Sequence, residues 1–239
     1  MTSPTEFAPG LTVQGITPPL NLRDFKLIAF DMDSTLINIE CVDEIADAAG
    51  RKAEVAAITE AAMRGEITDY KDSLRRRVAL LKGVTEEHLA HVYRSRLRLN
   101  PGATELVLAC KAAGLKVLLV SGGFTYFAER LRDRLALDFA RSNQLEIVNG
   151  QLTGRLLDQS WGDICDGAMK KETLLRTCSL IGCSPAQAIA MGDGANDLEM
   201  MGVAGLSVAY RAKPKVRAQA KVAIDMGGLD RLLELFKNP

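Results

Sequence analysis

Leu27-Ile28-Ala29-Phe30-Asp31-Met32-Asp33-Ser34-Thr35 is the stretch on which the fold turns. Four apolar residues run without alternation into a pair of acids. An unbroken apolar run of this length predicts a strand buried on both faces, as in a parallel sheet. Three more runs of the same kind follow, Val117 to Val120, Ala188 to Met191 and Leu206 to Ala209, with Val222-Ala223-Ile224 as a candidate fifth. Helical periodicity fills the gaps, at 102–113, 124–136, 170–181 and 228–236. Strands alternating with helices predict an α/β fold with a doubly wound parallel sheet.

Residues 41–98 break the alternation. They carry helical spacing with no strand run, through Val55, Ile58, Leu74, Val78, Leu81, Leu89 and Val92, with breaks at Gly83 and Asn100-Pro101-Gly102. The expectation is a helical cap at 41–98 inserted into a core formed by 23–40 and 99–239. Four of the eight prolines fall at 4, 9, 18 and 19, so residues 1–22 are expected to be an extended arm rather than a packed element. Asn149-Gly150, between LEIV and QLTG, predicts a hairpin with a type I′ turn within 143–158.

Composition narrows the function classes. Among 239 residues, Lys+Arg and Asp+Glu are both 30, so no global positive field would hold nucleic acid or an anionic membrane. No apolar run approaches the roughly 18–20 residues of a membrane helix, and the start MTSPTEFAPG lacks the order of a secretion signal. The five cysteines, at 41, 110, 165, 178 and 183, are odd in number and form no CxxC pair. Reduced, inert thiols in a cytoplasmic enzyme are expected.

Polar residues gather where three apolar runs stop: Asp31-Met32-Asp33-Ser34-Thr35, Ser121-Gly122-Gly123 and Gly192-Asp193-Gly194-Ala195-Asn196-Asp197. Open parallel sheets bind ligands outside the carboxyl ends of their strands, so these segments should share one crevice. Carboxylates drawn together repel and call for a cation. An all-oxygen donor set suits a hard ion, with Mg²⁺ the expected cofactor. An EF-hand is excluded, because its sixth and twelfth positions counted from Asp31 would be Leu36 and Val42. Glycine amides and a lysine, Lys170 or Lys171, complete a site suited to a phosphate group. Alone, each piece is commonplace: a DxD is most often a turn, an SGG a strand-to-helix loop, a DGxxD a cap. The set, in this order and at these positions, is what carries the reading. His88 and His91 lack a third zinc ligand and read as an exposed helix face. Neither a nucleophile elbow around Ser121 nor a Walker A sequence is present.

These motifs carry a resemblance. DMDSTL at 31–36, LVSGGF at 119–124, the lysine at 170 and MGDGAND at 191–197 are similar, in order and context, to the four motifs of the haloacid dehalogenase superfamily. Glu40, AAMRGEI at 61–67, SLRRRVALLKG at 73–83 and VSGGFTYFAERL at 120–131 resemble its phosphoserine-hydrolysing branch, and the likeness runs from about Phe25 to the C-terminus. It implies a Rossmann-type core with a helical cap and a Mg²⁺-dependent hydrolysis of phosphoserine, the last step of serine biosynthesis. By resemblance, Asp31 is the nucleophile that forms an aspartyl-phosphate, and Asp33 is the general acid and later the base. Ser121, the Gly122 amide, Lys170 and Asn196 would hold the phosphoryl group. Mg²⁺ would sit on the Asp31 carboxylate, the Asp33 carbonyl and the Asp193 carboxylate, with Asp197 behind them. From the cap, Glu40 would meet the substrate ammonium and Arg77 its carboxylate, with Met63 and Tyr70 closing over it.

Chemistry asks for the same residue types. Serine's alkoxide leaves poorly and needs a proton, which Asp33 can give; the dehalogenases of the superfamily lack this second acid. Two features depart from the pattern: Tyr70 stands where the branch usually has Phe, and GEITDY is one residue longer. The arm at 1–22 is too short for the regulatory domain that many relatives carry. The partner implied is a small phosphomonoester, with no nucleic acid or membrane, acting on a monomer or homodimer. Transfer to another alcohol such as homoserine, hydrolysis of a different small phosphate, and an inactive binding protein stay open at this level, as does Lys170 against Lys171.

Overall fold

The computed structural model describes residues 3–63 and 66–237, with the side chains of Ala62 and Met63 left out. The chain opens with β1 (Thr5–Ala8) and β2 (Leu11–Val13), then reaches β3 (Leu27–Phe30). Four helices follow, α1 (Cys41–Ala48), α2 (Lys52–Met63), α3 (Tyr70–Ala79) and α4 (Glu86–His91). Next come α5 (Ala103–Ala112), β4 (Lys116–Phe124), α6 (Thr125–Leu135), β5 (Phe139–Val148), β6 (Gln151–Leu157) and α7 (Gly167–Ile181). The chain ends with β7 (Ala188–Gly192), α8 (Leu198–Val203), β8 (Leu206–Tyr210), α9 (Pro214–Gln219), β9 (Val222–Ile224) and a 3₁₀ segment, Leu229–Leu235.

The strands of the described residues form one sheet in the order β1-β2-β9-β8-β7-β3-β4-β5-β6. Its middle six strands are parallel, and antiparallel pairs close both edges. All four residues of β3 are fully buried. Ile28 and Phe30 join the apolar cluster on one face, while Leu27 and Ala29 join the cluster on the other. That explains the unbroken apolar run, since neither face of the strand meets water. The chain passes from β3 to β4 on one side and returns to β7 on the other. The point where strand order reverses is therefore the carboxyl end of β3, at Asp31.

Two expectations are corrected. The described part of the 1–22 segment, residues 3–22, is not an unpacked arm. Leu11 and Val13 are buried, and β2 pairs antiparallel with β9, which would otherwise be a bare edge. Prolines 4 and 9 flank β1 rather than prevent it. At the other end, 228–236 is not an α-helix. Leu229, Leu232 and Leu235 recur every third residue and are all buried, a spacing that matches the three-residue turn of a 3₁₀ helix.

The helical segment leaves and rejoins the sheet at one point, where Ile37 and Leu99 form an antiparallel bridge and Asn38 N–H donates to the Arg98 carbonyl at 3.0 Å. The β5–β6 hairpin turns at Asn149-Gly150, both at positive φ (51° and 75°), as a type I′ turn requires. Its tip also braces the helical segment: Gly83 N–H donates to Leu152 O at 2.8 Å and Glu86 N–H to Gly150 O at 3.0 Å. No helix of the described residues is long and apolar enough to cross a membrane.

Candidate active site

Directly after β3 the backbone makes a wide turn. Leu36 N–H reaches back to Asp31 O at 3.3 Å and Ile37 N–H to Met32 O at 3.0 Å, both spanning five residues. Ser34 sits at φ 56°, a left-handed conformation that a non-glycine residue adopts at a cost. Asn100 holds the turn in place. Its buried amide donates to the carbonyls of Thr35 at 2.7 Å and Ile37 at 3.0 Å. Asn143 does the same for the second loop, donating to Gly122 O at 2.7 Å while its carbonyl accepts from Cys165 N–H at 2.8 Å.

Of the two candidate lysines, Lys170 is the one placed against Asp31. It is fully buried, and its Nζ donates to Asp31 Oδ1 at 2.6 Å and to Asp197 Oδ1 at 2.7 Å. Asp166 caps α7 by accepting from Met169 N–H at 2.9 Å, which starts the helix in the register that aims Lys170 inward. Asp197 then spends its other oxygen on the backbone, accepting from Asp193 N–H at 3.2 Å and Gly194 N–H at 3.0 Å. Lys170 engages Oδ1 of Asp31, which leaves Oδ2 as the carboxylate oxygen not held by that lysine.

The glycines at 122 and 123 allow a close approach. A Cβ on Gly122 would lie 2.0 Å from the Tyr70 hydroxyl oxygen, and one on Gly123 would lie 2.7 Å from Asp33 Oδ2. Ser121 Oγ accepts from Gly123 N–H at 2.8 Å. Asp33 Oδ1 accepts from Cys41 N–H at 3.3 Å, and Glu40 Oε1 accepts the Ser34 hydroxyl at 2.6 Å. One open cavity of about 670 Å³ brings together Asp31, Asp33, Ser121, Gly122, Asp193 and Asn196 from the strand ends. Glu40, Tyr70 and Arg77 line its opposite wall. Lys170 and Asp197 lie directly beneath, and the Met63 side chain is outside the described residues.

Charge in this floor is unbalanced. Burial, then the charge of Asp197, pushes the Asp31 carboxyl well above the usual carboxylate range against the pull of Lys170. Burial, then Asp197 and Glu40, pushes Asp193 up to about 6. Asp33 rises to about 7, through burial and then the charge of Glu40. Burial alone would lower Lys170, but Asp197 and Asp31 outweigh it and hold the ammonium charged. Carboxylate oxygens of Asp31, Asp193 and Asp197 lie within 4.8 Å of one another. Repelling acids with oxygen donors only are a fit for a hard divalent cation.

Sequence reasoning missed four residues of this region. Asn100 and Asn143 were legible only as a break and a hairpin residue. Lys213 lines the cavity from the loop after β8, and its N–H donates to Asp193 O at 3.1 Å. The strand-end rule that found the other three loops could have found it. Asp43 lines the wall beside Arg77. The His88 ring joins the cap of α4 through Thr85, with Nδ1 2.7 Å from the hydroxyl.

A family model for haloacid dehalogenase-like hydrolases matches residues 25–205, and the chain belongs to that family. Within it, the chain is 74% identical over 234 residues to a phosphoserine phosphatase of a Polaromonas species, covering 98% of this chain and 99% of that protein. A phosphoserine phosphatase of Albidiferax ferrireducens is 71% identical over the same span. Among solved structures, a phospho-aspartyl intermediate analogue of phosphoserine phosphatase superposes with a TM-score of 0.81 at 38% identity, over 89% of this chain and 99% of that one.

Proposed function

We propose that the protein hydrolyses O-phospho-L-serine to serine and inorganic phosphate through an aspartyl-phosphate on Asp31. The observation that carries the reading is the buried Lys170 bridge, which fixes one oxygen of Asp31 at a strand end facing Ser121 and two glycines. A carboxylate so held can attack phosphorus in line. The bond from phosphorus to the serine oxygen breaks as the bond to Asp31 Oδ2 forms. Asp33, whose carboxyl stays protonated up to about pH 7, gives its proton to the departing alkoxide. It then takes a proton from the water that releases phosphate. The Ser121 hydroxyl, the Gly122 N–H and the Asn196 amide bind the phosphoryl oxygens, and Lys170 adds positive charge. Mg²⁺ on the Asp31 and Asp193 carboxylates and the Asp33 carbonyl, with Asp197 supporting them, would supply the charge that balances those oxygens.

Segment 41–98 acts as a cap that reads the rest of the substrate. Glu40 takes the ammonium, and Arg77 takes the carboxylate with two parallel hydrogen bonds. Tyr70 closes over both from its seat against Gly122. The five free thiols fit a reducing compartment, the cytoplasm, where the enzyme works on this small ester as a monomer or homodimer.

A panel of phosphomonoesters read by released phosphate tests the reading. Phosphoserine should be preferred, with stoichiometric free serine and no transfer to added homoserine. Activity should vanish in EDTA and return with Mg²⁺. Asp31→Asn should lose turnover altogether; phosphorylation of that variant at the same site would overturn the nucleophile.

A further inference from the structure

The cavity wall holds two groups that each lack a full set of partners. Asp43, in the first turn of α1, has an Oδ1 buried from solvent with no hydrogen-bond donor among the described residues. Buried acceptors left in this way are rare and costly. Arg77, on α3, makes one long hydrogen bond, from Nε to the Ser73 carbonyl of its own helix at 3.4 Å. Both side chains line the same cavity.

Among the described residues, other charges close in sequence to Asp43 are already engaged. Glu44 accepts from Arg96 at 2.8 Å, and Lys52 lies 3.5 Å from Asp47. Burial raises the Asp43 carboxyl, and Arg77 is the leading charge that opposes the rise. A guanidinium has five N–H donors in a rigid fork and can serve two carboxylates along different edges.

We infer that Asp43 is a positioning residue for Arg77: when substrate enters, Asp43 Oδ1 accepts one guanidinium N–H and aims the remaining edge of the fork at the substrate carboxylate. The inference rests on the role given to Arg77 above and extends it to the group that orients it. An arginine held at one point swings about its long stem. Held at Ser73 and at Asp43, it presents a fixed edge, and the ordering of its side chain is no longer charged to each binding event. A carboxylate at this position is otherwise a poor choice for a cavity that must admit the anionic phosphoserine.

Three esters separate the roles in the wild-type enzyme and its variants: phosphoserine with both groups, phosphoglycolate with a carboxylate only, and phosphoethanolamine with an ammonium only. In Asp43→Asn, kcat/KM for phosphoserine and for phosphoglycolate should fall about tenfold relative to phosphoethanolamine, mostly through KM. In an Arg77→Ala background the same substitution should cause no further change in these ratios, the mark of two residues acting as one. Should the asparagine variant fail to fold, Asp43→Ser enters the same cycle. A loss shared by phosphoserine and phosphoethanolamine would make Asp43 an ammonium ligand and overturn the inference. An equal loss on all three esters, or additive losses with Arg77→Ala, would overturn it as well. A wild-type enzyme that prefers phosphoethanolamine would instead sink the role of Arg77 itself, independently of Asp43.

Discussion

The floor of the cavity and its helical wall are built on opposite terms. In the floor, Asp31, Lys170 and Asp197 are stripped of water, and each charge meets another at 2.6 or 2.7 Å. In the wall, Glu40 is exposed, Arg77 is half-buried, and the ion pairs from α3 to the core are surface pairs. Lys71 meets Asp163 at 3.0 Å with both side chains about a third exposed (34% and 38%), and Arg75 joins the same carboxylate. An exposed pair contributes about 0–1 kcal/mol, whereas breaking a buried one costs about 3–5 kcal/mol. The floor therefore has one arrangement, suited to one chemistry. The wall can shift at little cost, which suits admitting, reading and releasing a substrate. Such a division predicts that damage to the floor is felt in stability and in every substrate, and damage to the wall only in some.

Replacing Lys170 tests this at its strongest point. Lys170→Met leaves Asp31 and Asp197 buried and facing each other without a cation. Turnover should be lost, and unfolding should come on the order of 10 °C lower, equivalent to about 3–5 kcal/mol. Lys71→Met, which removes the exposed pairs that Lys71 makes with Asp163 and Asp166, should lower the melting temperature by no more than about 3 °C. Lys171→Met should do less still, since Lys171 points about 100° away from Lys170 on the helix and is not buried. Differential scanning calorimetry of the three variants decides it. Equal shifts for 170 and 71 would erase the contrast between floor and wall.

The contrast also governs how much was legible in the sequence. The floor was read almost whole, because a strand buried on both faces writes an unmistakable apolar run, and the residue after the run is forced to the strand end. Asp31, Ser121 and Asp193 were found by that rule alone. Lys170 over Lys171 needed a family likeness, and only the register set by the Asp166 cap explains it physically. The wall was legible as helices but not as contacts. Helical periodicity says which face of α3 is buried and nothing about which loop it meets. The brace from Leu152 to Gly83 and the common cavity lined by Asp43 and Arg77 bring together residues far apart in sequence. The arm was misread because four prolines outweighed the Leu11-Thr12-Val13 alternation, which is all that a short edge strand offers.

Asp33 stands between the two regions, on the floor but facing Glu40 of the wall, and its titration sharpens the boundary. Burial and Glu40 raise its folded-state pKa to about 7, against about 3.9 in an unfolded chain. The folded protein thus holds the proton more tightly. That contribution to stability is complete below about pH 4 and is lost as pH climbs through about 7. In EDTA, the melting temperature of the wild type should fall between pH 5 and 8, and Asp33→Asn should fall less. Hydrolysis of phosphoserine by the asparagine variant should drop by about 10²–10⁴-fold, since it has no proton to give. An ester with an activated leaving group should be hurt less in its first step. A variant with the full pH slope would show that another group carries the proton.

Arg77→Ala is the mildest intervention and the most selective. Among the described residues Arg77 makes only the 3.4 Å bond to its own helix, and the buried Leu74 and Val78 anchor α3 without it, so its removal should leave the fold intact. On the proposed role of Arg77, the variant should lose a charged, two-pronged hold on a carboxylate, worth roughly 3 kcal/mol, or about 10²-fold in kcat/KM for phosphoserine. p-Nitrophenyl phosphate has no carboxylate, and the floor that handles its phosphate is untouched. The ratio of the two specificity constants should therefore fall by about that 10²-fold, while the melting temperature moves within a degree or two. Arg77→Lys should recover little, because an ammonium cannot make two parallel bonds in one plane. If both substrates suffered equally, the wall would be part of the chemistry, and the division between a rigid floor that reacts and a movable wall that selects would be wrong at the residue where it is drawn most sharply.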